Sequence, residues 1–203
     1  MNFPMVIGLC GISLLLSATL FRILVFFKIK RHSAYILSTL FFALSFLPLS
    51  GYTLNQYLRG LFNDLSITSI IVLGYYLSTP EHSKNQTQPV LIIIAIIGLF
   101  FYPAAAGFGP IDPYAWGYLN KDHGIIIPLL FLSLLTALMT MAFIRQYTVL
   151  LFCLVLATLA YQLGLLESKN LWDYLLDPLI CLYAIIALIS RWLLRSFARK
   201  NNA

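Results

Sequence analysis

Charge is scarce in this chain: only 10% of its 203 residues are charged, against 61% hydrophobic, and the mean hydropathy is +0.89. That scarcity excludes a soluble domain of this size, whose exterior stays polar or mixed even when the interior is well packed. Cysteine is also rare. Cys10, Cys153 and Cys181 all fall in apolar segments without metal-ligand spacing, so they read as small core residues. Familiar catalytic constellations are missing as well: no HExxH, no P-loop and no serine–histidine pair within the apolar segments. Neither a lipid-phosphatase array of Lys, Arg and His nor the repeated Gly/Pro-broken helices of inverted-repeat transporters can be found. The first residues lack the positive n-region of a cleavable signal peptide, and Cys10 follows Leu9 rather than the small residue of a lipoprotein cleavage site. The first apolar segment is therefore expected to be retained. No cofactor and no metal site are expected.

What is present is a recurrence of apolar stretches, each near the ~20 residues that cross a bilayer. They run from about Phe3 to Phe27, from Ala34 to Leu49, up to Ser78, from Pro89 to about Ala106, from Ile125 to Ile144, from Tyr147 to Leu166 and from Asp177 to Leu194. The sequence thus predicts an all-α polytopic membrane bundle of seven transmembrane helices, or six if the second or third segment does not span, forming one domain over residues 1–203.

The charges orient this bundle. Nine basic residues, Lys28, Lys30, Arg31, Lys84, Arg145, Arg191, Arg195, Arg199 and Lys200, fall to one side, and only Arg59, Lys121 and Lys169 to the other. By the positive-inside rule the N-terminus is outside and the basic tail 191–203 is cytoplasmic, in what compactness and polarity suggest is a bacterial inner membrane. The net charge of +6 then reports orientation and gives no reason to expect nucleic acid as a partner. Six of the seven acids, Asp64, Asp112, Asp122, Glu167, Asp173 and Asp177, sort to the outer side, with only Glu81 inside.

The outer connections read GYTLNQYLRGLFNDLS, GFGPIDPYAWGYLNKDHG and ESKNLWDYLLDP. Their aromatics, Tyr52, Tyr57, Tyr114, Trp116, Tyr118, Trp172 and Tyr174, suit anchoring at the lipid–water boundary. Asp112 and Asp177 each precede a proline, the arrangement of a helix N-cap, and predict a short helix from Pro113 to Leu119 and a helix starting at Pro178. Asn63 or Asp64 would cap the third segment in the same way. Asp173 and Asp177 share a face only if one helix contains both, where their repulsion would call for a cation or raise one pKa. His32, His82 and His123 fall on different sides and form no common site, although His123 stands beside Asp122.

The stretch YLRGLFNDLS holds the least expected charges. If the third segment is one helix from Leu54 to Ser78, Asn55, Arg59, Asn63 and Ser66 form a polar stripe, and Gly60 lets a neighbouring helix approach. Arg59 and Asp64, five residues apart, are then poorly placed to satisfy each other, and Arg59 is expected to reach Asp112, Asp173 or Asp177 instead. It can snorkel to headgroups, lock segments three and seven together, or bind a phosphate or carboxylate. The candidate ligand-binding residues are Arg59, Asn63, Asp64, Asp112, Asp173 and Asp177.

Three functions fit. The first is a non-enzymatic subunit or scaffold of an envelope or lipid-linked assembly system, with membrane lipids and another membrane subunit as expected partners. The second is a transporter or binder of an anionic lipid headgroup or small anion. The third is an intramembrane enzyme acting on a lipid-linked phosphate through the aspartates.

Overall fold

The computed structural model describes residues 2–78, 86–119 and 125–201. The expectations placed on Glu81, His82, Lys84, Lys121, Asp122 and His123 lie outside the described residues. Helices dominate: α1 (Phe3–Phe26), α2 (Arg31–Leu44), α3 (Leu54–Phe62), α4 (Ile67–Ser78), α5 (Thr87–Pro103), α6 (Ile126–Ile144), α7 (Thr148–Gln162), α8 (Trp172–Leu175) and α9 (Pro178–Asn201). Strands β1 (Pro48–Leu49) and β2 (Tyr52–Thr53) form a small antiparallel hairpin, pairing Pro48 with Thr53 and Leu49 with Tyr52. Its turn residues Ser50 (φ 53°) and Gly51 (φ 97°) are both left-handed, as a tight hairpin requires, which is why glycine stands at the second position.

Three helices are long and apolar enough to cross a membrane: α1, α5 with its continuing turn to Phe108, and α6. Shorter apolar helices are α4, α7 and the Pro178–Leu193 part of α9. Their outward faces match lipid as a solvent. On α5 the exposed residues Ile92, Ile96, Leu99 and Phe100 recur at helical spacing, while Leu91, Ile94, Ala95 and Gly98 face inward. On α1 the buried face is small and hydroxylated, with Gly8, Gly11, Ser13, Ser17 and Ala18 alongside Leu9, Ile12 and Phe21. Where lipid tails are as apolar as leucine, close backbone approach and interhelical hydrogen bonds hold helices together better than extra apolar bulk. Ser13 is the clearest case: its hydroxyl accepts from Ser45 Oγ at 2.8 Å and Asn55 Nδ2 at 3.0 Å, and all three residues are fully buried.

Helix α4 is central. It packs against α1 on one side and against α7 and α8 on the other, while α5 pairs with α9 and α6 leans on α7. The α5–α9 contact is tight because a side chain at Gly98 would stand 2.8 Å from Cys181 Sγ. Cys153 and Cys181 are buried, and all three cysteines are free thiols.

The third apolar segment is not one helix. It breaks between Phe62 and Ile67, with Asn63 left-handed at φ 62°. The continuous stripe expected from Leu54 to Ser78 is therefore interrupted, and Gly60 has nothing within 4 Å of its would-be Cβ. The residue that permits close approach is Gly8 on α1, against which Asp64 and Arg59 lie. Within α3 the polar side still turns inward: Asn55 is buried, whereas Tyr57, Leu61 and Phe62 are exposed. Such inverted amphipathicity is stable where the exterior is apolar.

Candidate functional site

Five of the six candidate side chains make hydrogen bonds or ion pairs within the chain, most of them at one end of the bundle. That end, the acidic end, contains the start of α1, the break between α3 and α4, the 166–177 segment and the start of α9.

The break creates the first cluster. After Phe62 the chain reverses through Asn63, which carries Asp64 back onto Arg59. Arg59 donates from Nε to Asp64 Oδ1 at 2.5 Å and from Nη2 to Asp64 Oδ2 at 2.9 Å. Arg59 Nη2 also stands 2.9 Å from Glu167 Oε2. The two side chains of the bidentate pair are only 15% and 9% exposed, while Glu167 is 56% exposed. The expectation that Arg59 reaches Asp112, Asp173 or Asp177 is thus corrected. The pair judged too far apart on a continuous helix forms because the helix ends between its members. Asn63 contributes through its backbone, donating to Arg59 O at 2.8 Å and turning the chain at φ 62° and ψ −165°, a conformation that residues other than glycine rarely adopt.

Asp177 forms the second cluster. It is 5% exposed and bridges two helix starts. Oδ1 accepts from Ile180 N at 2.9 Å and caps α9, the role expected from the Asp-Pro dipeptide. Oδ2 accepts from Ser66 N at 2.9 Å, Ser66 Oγ at 2.8 Å and Ser69 Oγ. The cap of α4 is Ser66, whose Oγ receives Ser69 N at 3.1 Å, and neither Asn63 nor Asp64 takes that role. Two helix N-termini thus converge on one carboxylate, which accepts a backbone N–H from each. Segments three and seven are indeed locked together, but by a carboxylate with serines and not by Arg59.

Asp173 belongs to a third cluster. Leu176 is extended between α8 and α9, so Asp173 and Asp177 do not share a helical face. Asp173 Oδ2 accepts from Tyr114 Oη at 2.9 Å and Ser168 Oγ at 2.5 Å. Burial first, and Asp173 second, push the Tyr114 hydroxyl above its ordinary pKa and keep it a donor. The same contact region includes Asn170 Nδ2 to Tyr114 O at 2.9 Å, Trp172 Nε1 to Pro113 O at 2.9 Å and Leu171 N to Gly117 O at 3.0 Å. A Cβ on Gly117 would sit 1.8 Å from Asn170 Oδ1, so this docking requires glycine. Asp112 works locally: its Oδ1 accepts Tyr114 N at 3.0 Å and Ala115 N at 3.4 Å, capping a single turn at Tyr114–Gly117 in place of the expected longer helix to Leu119.

Two expected boundary anchors are core residues instead. Trp172 stacks between Phe101 and Phe131, with centroids at 4.6 and 4.8 Å. Tyr174 is fully buried, and its hydroxyl bonds Leu166 N at 3.1 Å and Leu166 O at 3.0 Å. Tyr52, Tyr57 and Tyr118 are exposed. Among the described residues no three His, Cys, Asp or Glu side chains gather as a metal site would.

One further charged residue was not among the sequence candidates. Arg22 lies inside α1, in the opposite half of the bundle, with its guanidinium 3.9 Å above the Tyr76 ring. Its signal is its position as the one charged side chain within an apolar stretch of 24 residues, which by itself marks a candidate site. No known family, curated protein or solved structure matches this chain.

Proposed function

We propose that this chain is a multi-pass inner-membrane protein acting as a non-enzymatic subunit or scaffold of a bacterial envelope or lipid-linked assembly system. In this reading it crosses seven times, with its N-terminus outside and residues 191–203 in the cytoplasm. The split of basic residues supports that orientation. So do the contacts. Groups assigned to the outer side touch one another, as Gly8 meets Asp64 and Arg59 meets Glu167, while at the other end the Tyr35 hydroxyl donates to Leu77 O. Helices α2 and α4, with 14 and 12 residues, cover only about 21 and 18 Å. α2 is continued towards the outer face by the hairpin and by α3, whose exposed Leu61 and Phe62 suit the outer leaflet, and α4 returns from the turn at Asn63.

The observation that carries the scaffold reading is how fully the outer polar groups are used within the chain. Arg59 holds two carboxylates, Asp64 holds Arg59, Asp112 caps a turn, Asp173 joins two loops and Asp177 joins two helices. An anion binder would have to free Arg59 from both acids. An enzyme using the aspartates would have to draw Asp173 and Asp177 from separate sets of partners. Both alternatives require rearrangement, whereas a scaffold needs only the rigid outer rim already formed.

Asp64→Asn and Asp173→Asn, made in the native host, separate these readings. Folded protein is measured by size-exclusion profile, and associated membrane proteins are recovered in mild detergent. For a scaffold, partner recovery falls only as far as folded protein falls. A variant that folds fully yet loses all cellular function, or turnover of a lipid-linked phosphate by the purified chain alone in liposomes, would overturn it.

A further inference from the structure

We propose that the cleft between α1, α4 and α9 holds an anionic phospholipid, with its phosphate on Arg22 and an acyl chain along the cleft. The cleft measures about 210 Å³, and its walls include Leu15, Leu73, Leu179 and Tyr183, with Arg22 and Tyr76 among the lining residues. Arg22 is exposed and has no ion-pair partner among the described residues. In this it is the reverse of Arg59, which has two.

Depth fits a lipid. Arg22 stands four residues before the end of α1, about 6 Å, so its long side chain reaches headgroup level on that side. From Tyr76 the lining continues along α4 to Ser69, seven residues or about 10 Å away, and ends at Leu65 just before the helix starts. One leaflet of hydrocarbon is about 15 Å deep, half of a core about 30 Å thick. The cleft therefore offers a charged mouth and an apolar trough that runs through most of one leaflet. A guanidinium forks onto phosphate oxygens with two parallel N–H donors, which an ammonium cannot match.

Tyr76 provides an independent pointer. Its hydroxyl is buried with no hydrogen-bond partner among the described residues, beneath an arginine that covers its ring. A phosphate that draws the guanidinium outward opens that hydroxyl to the headgroup or its ester carbonyls, satisfying a group otherwise left without a partner. A soluble anion would use Arg22 and leave the trough empty. This inference stands apart from the scaffold reading, since its charged contact is Arg22 and it requires none of the acidic-end carboxylates to change partners, although the deep end of the cleft reaches Leu65 and Leu179 beside the Asp177 cluster.

The test uses the full chain in detergent with phosphatidylglycerol and phosphatidylcholine at equal concentration, reading bound lipid by native mass spectrometry. Wild type is expected to retain phosphatidylglycerol with about tenfold preference, the worth of one charge-assisted contact set. Arg22→Gln should bring the two lipids to parity, Arg22→Lys should keep part of the preference, and Tyr76→Phe should lower it a few-fold. Leu179→Trp fills the trough while keeping Arg22, and should lose the retained lipid with the size-exclusion profile unchanged. If Arg22→Gln fails to fold, Leu179→Trp decides alone. An unchanged preference in Arg22→Gln or in folded Leu179→Trp overturns the proposal. So does displacement of the lipid by millimolar inorganic phosphate, or a protein cross-linked into the cleft in the lipid's place.

Discussion

The two ends of this bundle use polar residues in opposite ways. At the acidic end Asp64, Asp173 and Asp177 are bound into separate clusters that join α3, α4, α8, α9 and the intervening loops. At the basic end Arg22 lies over Tyr76 with no ion-pair partner among the described residues, and the Tyr35 hydroxyl donates to Leu77 O. The difference follows the backbone. Helices are interrupted at the acidic end, at Asn63–Ser66 and at Leu176, and each interruption frees N–H and C=O groups that lipid cannot satisfy. Side chains with acceptor capacity collect where the backbone requires them.

The largest test of that contrast is Asp177→Ala. It removes four hydrogen bonds at once, leaves Ser66 N without its acceptor and uncaps α9. A loss of about 2–4 kcal/mol is expected from an unsatisfied buried donor plus a missing cap. Thermal unfolding in detergent reads it, and Asp177→Asn, which keeps a single carbonyl acceptor, should fall between. Wild-type melting of Asp177→Ala would show that the acidic end is held by something else.

Glycines give a sharper pair of measurements. Gly8→Ala puts a Cβ 1.9 Å from Asp64 Oδ1 and 2.9 Å from Arg59 Nε, so either the ion pair or α1 must move. Overpacking of this kind costs about 1–3 kcal/mol. Gly60→Ala, on α3 in open space, should be neutral or stabilise by up to about 1 kcal/mol through helix propensity. Equal effects at the two glycines would remove the argument that Gly8 seats the Arg59–Asp64 pair.

These glycines also show where the sequence is legible and where it is not. Apolar runs and prolines locate most helices, and the Asp-Pro dipeptides locate two caps, because those signals depend on neighbouring residues only. The break at Asn63 is hidden, since NDLS between two apolar stretches fits a helix by period alone. Every expectation built on that continuous helix, the stripe, the role of Gly60 and the partner of Arg59, changes with it. The partners of Asp177, 108 and 111 residues away, arise from tertiary packing and leave no local trace. Arg22 does leave one, a lone charge within a span, but the sorting of loop charges that orients the bundle does not register it.

The smallest effect should come from Glu167→Gln. Glu167 completes the Arg59 cluster at 2.9 Å but is 56% exposed, whereas Asp64 in the same cluster is 9% exposed. An exposed ion pair contributes about 0–1 kcal/mol and fades with salt over a screening length of about 10 Å at 0.1 M. Glu167→Gln should therefore lower stability by under about 1 kcal/mol, with most of that loss gone at high salt. Asp64→Asn should cost more and respond less to salt, because its pair is bidentate and shielded by α1 at Gly8. Measuring both melts at low and high salt tells whether Arg59 is held from within the bundle or from its wet rim. If Glu167→Gln is the more damaging change, the cluster is open to water and Arg59 is available to an anion after all.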